Sequence, residues 1–159
     1  MKEIERLQDN LLLIRRATGW TAEQFGERIG VTRQTINNLE AKRNKLNKTQ
    51  YIAIRAVLDA EMANSPEDTE ILKCLLEVLI DNPEKYKKKD RELLLEKANM
   101  LTPSILAGTT TRLTVSKEVV GIVGALGMTT VVATIPAIGS GLALAGASAW
   151  LLKALKDVK

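Results

Sequence analysis

Apolar positions recur at helical spacing through the first hundred residues, and no convincing strand pattern occurs before residue 119. Leu7, Leu11 and Ile14 fall on one face of a helix predicted over 3–18, which Gly19 ends. Thr21 and Gln24 have the spacing of a capping box, so a second helix is expected to about Ile29, with Gly30 as its breaker. Thr32 caps a third helix that extends through Ala41. A basic loop, Lys42 to Lys48, precedes a fourth helix over 49–62 that presents Ile52, Ala56 and Val57.

The pattern then changes twice. Ser65-Pro66-Glu67-Asp68 combines a cap residue, a first-turn proline and first-turn acids, which predicts a helix to Asp81. Asn82-Pro83 repeats the signal and starts a helix ending near Asn99; Thr102-Pro103 repeats it again. From Val119 to Leu152 no residue is charged, and Pro136 and Gly139-Ser140-Gly141 divide this run into pieces of about 119–135 and 141–156. The expected fold class is all-α: a helix-turn-helix bundle followed by a helical C-terminal region with a Gly/Ala-rich apolar hairpin. The expected domains are 1–62 and 63–159. The second comprises amphipathic helices over 63–100 and Gly/Ala-rich apolar helices over 103–159.

Composition supports this reading. Apolar residues make up 45% of the chain but aromatics only 3%, so the core must be aliphatic and alanine-rich, which favours helix over sheet. The net charge of +4 permits an anionic partner without requiring one. There is no histidine and one cysteine. That excludes disulfides within the chain and the usual zinc sites. Cys74 sits among Ile71, Leu72, Leu75 and Leu79 and reads as a small core hydrophobe. No nucleophile-base pair and no phosphate-binding glycine loop followed by Lys-Ser or Lys-Thr is present, so no enzyme, cofactor or metal is expected. The charged start, MKEIERLQDN, is no signal peptide, and the cytoplasm is the expected location.

The informative chemistry lies in Thr21–Glu40, TAEQFGERIGVTRQTINNLE. Two short helices crossing at a sharp angle need a small residue where they nearly touch, and Gly26 supplies it. They need a residue tolerant of positive φ at the turn, and Gly30 supplies it. Phe25, Ile29, Val31, Ile36 and Leu39 have the spacing to pin both helices to the bundle. The outward face of the second helix is then Arg33, Gln34, Asn37 and Asn38. Arginine can bond guanine O6 and N7 together, and the amides can bond adenine N6 and N7 together.

On these residues, 7–58 resemble the Cro and lambda-repressor-like, or Xre, family of helix-turn-helix proteins. The resemblance implies binding of double-stranded DNA. It makes the helix starting at Thr32 the recognition helix, with base contacts at Arg33, Gln34 and Asn38 and with Thr32 and Asn37 nearby. It implies backbone contacts at Thr21 and at Lys42, Arg43, Asn44 and Lys45. Ala22, beside Thr21, has only its backbone N–H to offer. The resemblance also assigns Arg15 and Glu40 to a structural ion pair. Family members usually bind two-fold operators as dimers, so a homodimer or higher homo-oligomer is expected.

Two readings of the C-terminal run stay open. Residues 119–156 either form a buried hairpin or contact a membrane, with Lys117 and Lys153 both on the cytoplasmic side. The piece before Pro136 spans roughly 26 Å of helix against a hydrocarbon core of roughly 30 Å. Faintly, the run resembles the glycine-rich hairpins of membrane-active bacteriocins. The expected function is a sequence-specific transcriptional regulator, a repressor. The alternative is a membrane-associated or membrane-active protein whose N-terminal DNA-binding domain regulates its own expression. The Lys85–Arg91 cluster reads as a solvated helix face or as an anion contact.

Overall fold

The computed structural model describes residues 2–125 and 149–156, and among these residues all regular structure is helical. Five helices build the N-terminal part: α1 (Lys2–Asp9), α2 (Leu11–Thr18), α3 (Ala22–Ile29), α4 (Arg33–Glu40) and α5 (Lys48–Asn64). Then come α6 (Glu70–Leu75), a π-helical segment (Leu76–Asp81) and a 3-10 turn (Pro83–Lys85). Three helices complete the described chain: α7 (Lys88–Leu106), α8 (Arg112–Ala125) and α9 (Ala149–Lys156). The expected hairpin turn at Pro136–Gly141 lies outside the described residues.

Four expected helices differ from the sequence reading; Asn82-Pro83 opens only the 3-10 turn, and α-helix begins at Lys88 and runs past Asn99 to Leu106. The single helix over 3–18 is broken at Asn10. There the side-chain amide donates to the Arg6 carbonyl at 2.9 Å, and the backbone takes φ −111° and ψ 10°. A side chain that bonds its own backbone this way competes with the helix ladder. Ser65-Pro66 does not open a helix; Ser65 closes α5, its N–H bonded to the Glu61 carbonyl, and helix resumes only at Glu70. Pro103 does not start a helix either, but lies inside α7. The carbonyl that its missing N–H cannot serve belongs to Asn99, an exposed residue, while Leu101 and Ile105 keep the turn packed.

Two hydrophobic clusters share a middle layer of α2 and α6. Leu11 and Ile14 of α2 face the first cluster, with Leu7, Phe25, Ile36, Leu39, Tyr51, Ile54 and Leu58. Leu13 and Ala17 of the same helix face the second, with Leu94, Ala98, Val115, Val119 and Val123. Leu72 joins the first cluster, and Ile71, Cys74 and Leu75 join the second. The two helices of the helix-turn-helix pack on α1, α2 and α5, and the middle helices back those three in turn. Arg112 adds a polar tie, donating to the Thr18 carbonyl at 3.1 Å and to Glu61 at 2.5 Å.

The far end of the chain returns to its beginning. Trp150 of α9 meets the edge of Tyr51, with ring centroids 5.9 Å apart. Its indole N–H donates to Asp59 at 2.7 Å, and Arg55 lies over its ring. Ala154 is buried in the first cluster, and Lys153 pairs with Glu3 of α1. Burial alone would raise the Glu3 carboxyl, but the bond from Lys153, a backbone hydrogen bond and the charges of Lys153 and Arg6 together outweigh it and hold that group below its usual range. No helix among the described residues is long and apolar enough to cross a membrane. At both ends of the uncharged run the chain packs on protein, through Val119 and Val123 and through Trp150.

Candidate nucleic-acid interface

The angle between α3 and α4 is fixed by three local devices. Thr21 and Gln24 form a complete capping box: the Thr21 hydroxyl accepts the Gln24 N–H at 3.1 Å, and the Gln24 side chain accepts the Thr21 N–H at 3.0 Å. Gly30 ends α3 at φ 76°, in the left-handed region. Gly26 lets the turn fold back on the helix, since a Cβ there would stand 2.6 Å from the Val31 carbonyl oxygen. Thr32 then starts α4 as an N-cap, accepting the Thr35 N–H at 3.2 Å. Phe25, Ile36 and Leu39 are buried and anchor both helices to the core.

With that inner face buried, α4 turns its polar side chains outward. Thr32, Arg33 and Gln34 are exposed, and Asn37 and Asn38 are half-exposed. The amides of Gln34 and Asn38 are bonded to each other at 3.0 Å across one helical turn. That bond aligns two amide edges on the side where Arg33 begins the helix. Thr21 keeps its hydroxyl hydrogen free to donate, because its oxygen serves Gln24 as acceptor.

The basic loop wraps the C-terminal end of α4. Lys42 and Arg43 donate backbone N–H groups to Leu39 and Asn38 carbonyls at 3.1 and 2.9 Å. Lys42 takes φ 55°, the one non-glycine residue with positive φ among those described. Lys42, Arg43, Asn44 and Lys45 are all exposed. The Lys42 ammonium meets Asp9 of α1 at 2.5 Å, both groups more than half exposed. Arg43 and Lys45 make no ion pair among the described residues.

Sequence reasoning missed the residue that holds this loop. Gln8 of α1 donates to the carbonyls of Leu39 at 3.1 Å and Asn44 at 2.6 Å, and accepts the Leu46 N–H at 3.0 Å. One side chain thereby fixes the loop to the end of α4. Helical spacing offered a faint signal: Gln8 is a polar residue directly beside the apolar Leu7 and Leu11 stripe.

Behind the exposed face of α4, Arg15 and Glu40 join α2 to the end of α4. Arg15 donates through Nε at 2.5 Å and Nη2 at 3.1 Å to the two Glu40 oxygens, and through Nη1 to the Trp20 carbonyl at 2.9 Å. Both side chains are about nine-tenths buried. A planar fork on a carboxylate fixes orientation as well as distance. Arg28 of α3 lies 4.2 Å over the Trp20 ring, closing the other side.

The remaining candidates lie apart from this face. Lys85 and Lys88 sit at the 3-10 turn and the start of α7, next to Glu77 and Glu92 respectively. Cys74 is buried, and burial followed by the nearby Glu70 charge pushes its thiol up to about 12. No group of acidic or cysteine side chains among the described residues could hold a metal ion.

Residues 11–63, a third of the chain, match the family described as Helix-turn-helix. The match spans α2 through α5, so it contains α3 and α4 and the turn between them and omits the Gln8 clamp. No curated protein and no solved structure matches the chain significantly. Residues 11–63 are similar to the helix-turn-helix domains of the lambda-repressor/Xre type, a match that supports a DNA-binding transcription regulator in general.

Proposed function

We propose that this protein is a sequence-specific repressor that lays α4 in the major groove. The observation that carries this reading is the outward set of Arg33, Gln34 and Asn38, with the two amides bonded edge to edge. An arginine at the helix start suits guanine, and an aligned amide pair suits adenine. Asn37 and Thr32 flank these contacts. Thr21, at the start of α3, and Lys42, Arg43, Asn44 and Lys45, after α4, hold the phosphate backbone on either side. Arg15 and Glu40 set the height of α4 without touching DNA. One recognition helix reads few bases, so the protein binds a two-fold operator as a homodimer, in the cytoplasm.

Selection of binding sequences from a random duplex pool, followed by anisotropy titrations, tests the assignment. Arg33→Ala and Asn38→Ala should each cost about 1–3 kcal/mol on the selected site and relax base preference at one position. Arg43→Ala should weaken all sequences alike and lower the salt dependence. Unchanged affinity and preference in folded Arg33→Ala and Asn38→Ala variants would refute the reading of α4.

A further inference from the structure

A cleft of about 600 Å³ opens between α1 and the start of α7, within the roughly 300–1,000 Å³ typical of small-molecule sites. Lys2 and Arg6 line it from α1, four residues apart and so on one face. Lys88 and Arg91 line it from α7, three residues apart. Glu84 and Glu92 also line it, which leaves the lining with a net positive charge. Leu79 and Leu95 give it an apolar part.

The two arginines are in different states. Arg6 is fixed, since one of its terminal nitrogens donates to the Ile80 carbonyl at 2.6 Å, inside the π-helical segment. Irregular turns of this kind often accompany functional sites. Arg91 is not satisfied: its Nε is buried and has no hydrogen-bond partner. A guanidinium N–H kept from water without an acceptor is costly; Arg91 also lines the cleft, where its charge attracts an anion. Four cationic side chains against the two carboxylates leave the lining at +2, which exceeds what one carboxylate needs and matches a doubly charged phosphoryl group.

We propose that this cleft binds a small phosphate monoester. Arg6 and Arg91 hold the phosphoryl oxygens, Lys2 and Lys88 balance the second charge, and Glu84 accepts from hydroxyls of the organic part. The phosphoryl group could belong to a soluble metabolite or to a lipid headgroup. Both sources present the same chemistry to the cleft.

Calorimetry on the full chain with glycerol 3-phosphate tests the soluble source, with glycerol as control. Vesicles of phosphatidylcholine with and without phosphatidic acid test the lipid source. One-to-one binding of glycerol 3-phosphate, absent for glycerol, is the expected result. Arg91→Gln should weaken it about tenfold or more, and the exposed substitutions Lys2→Gln and Lys88→Gln severalfold each. Binding only to vesicles with phosphatidic acid, lost in the same variants, would identify a lipid as the source. No binding to either probe overturns the proposal, as does binding indifferent to Lys2→Gln and Lys88→Gln. If those variants weaken duplex DNA of every sequence and DNA displaces the probe, the cleft is a DNA-backbone contact and the proposal fails. The phosphate titration does not depend on operator binding, so it succeeds or fails independently of the reading of α4.

Discussion

Replacing Gly26 by alanine sets two effects of opposite sign against each other, and the geometry says which prevails. Within a helix, alanine is favoured over glycine by about 1 kcal/mol. At this position the added Cβ would lie 2.6 Å from the Val31 oxygen and 3.2 and 3.3 Å from backbone atoms of Thr32, where ordinary contact begins at 3.4 Å. The turn must therefore retreat by about 0.8 Å. It cannot do so freely, because the Val31 N–H is bonded to the Gly26 carbonyl at 2.9 Å and Thr32 is the cap of α4. Overpacking of this kind costs about 1–3 kcal/mol, so the net change is a loss of roughly 0–2 kcal/mol. The larger effect falls on DNA. Retreat of the turn moves the start of α4, where Arg33 and Gln34 sit, and each bidentate base contact is worth about 1–3 kcal/mol. Operator affinity should fall at least about tenfold. Gly30→Ala is the control: nothing lies within 4 Å of its Cβ, so only the φ of 76° resists. It should cost about 1–2 kcal/mol of stability and leave affinity within a few-fold. Urea unfolding followed by tryptophan fluorescence gives the stabilities, and anisotropy with a labelled operator gives the affinities. A Gly26→Ala variant stabilised by the full 1 kcal/mol, with operator affinity unchanged, would refute the close-approach argument.

Glu40→Ala strands a buried arginine that keeps only the Trp20 carbonyl, and should destabilise the protein by about 2–4 kcal/mol in urea unfolding. Trp150→Ala should cost about 2 kcal/mol, while Trp150→Phe keeps the ring on Tyr51 and loses only the bond to Asp59, about 1 kcal/mol. Native Cys74 should resist alkylation at pH 8 and react once the chain is unfolded, a contrast that mass spectrometry reads directly. Burial also pushes Tyr51 and Tyr86 up to about 12, the latter helped by the Glu77 charge. All three groups are more acidic in the unfolded chain. Their contribution is full below about pH 8, where the unfolded thiol begins to ionise, and is lost as pH rises toward 12. Thermal unfolding across that window should show a falling midpoint; a flat profile would contradict it.

The helix-turn-helix was legible because its determinants are local. Thr21 with Gln24, Gly26, Gly30 and Thr32 each act within five residues, so spacing alone exposes them. The middle of the chain was harder, because the same residues serve two purposes. Ser65-Pro66 has the composition of a helix start yet closes α5, since Thr69 turns its hydroxyl back to the Ser65 carbonyl. Pro103 has the composition of a helix start yet continues α7, since packing of Leu101 and Ile105 outweighs one lost backbone bond. In the candidate site, side chains of α4 could be assigned from periodicity. The Gln8 clamp could not, because its partners lie 31 to 38 residues away. Nothing in the pattern around Trp150 indicated that it would seat on Tyr51.

The return of α9 to α1 and α5 bears on the order in which the protein is made. A ribosome releases residues 11–63 long before Ala149–Lys156 emerges, so the newborn DNA-binding domain has Tyr51 without Trp150 and Glu3 without Lys153. It also lacks α7 and α8 behind α2 until synthesis is well advanced. Contacts so distant along the chain form late and slowly. The seating of α9 on α1 and α5 thus comes only after Ala149–Lys156 is made, and products truncated before it carry α4 without those contacts.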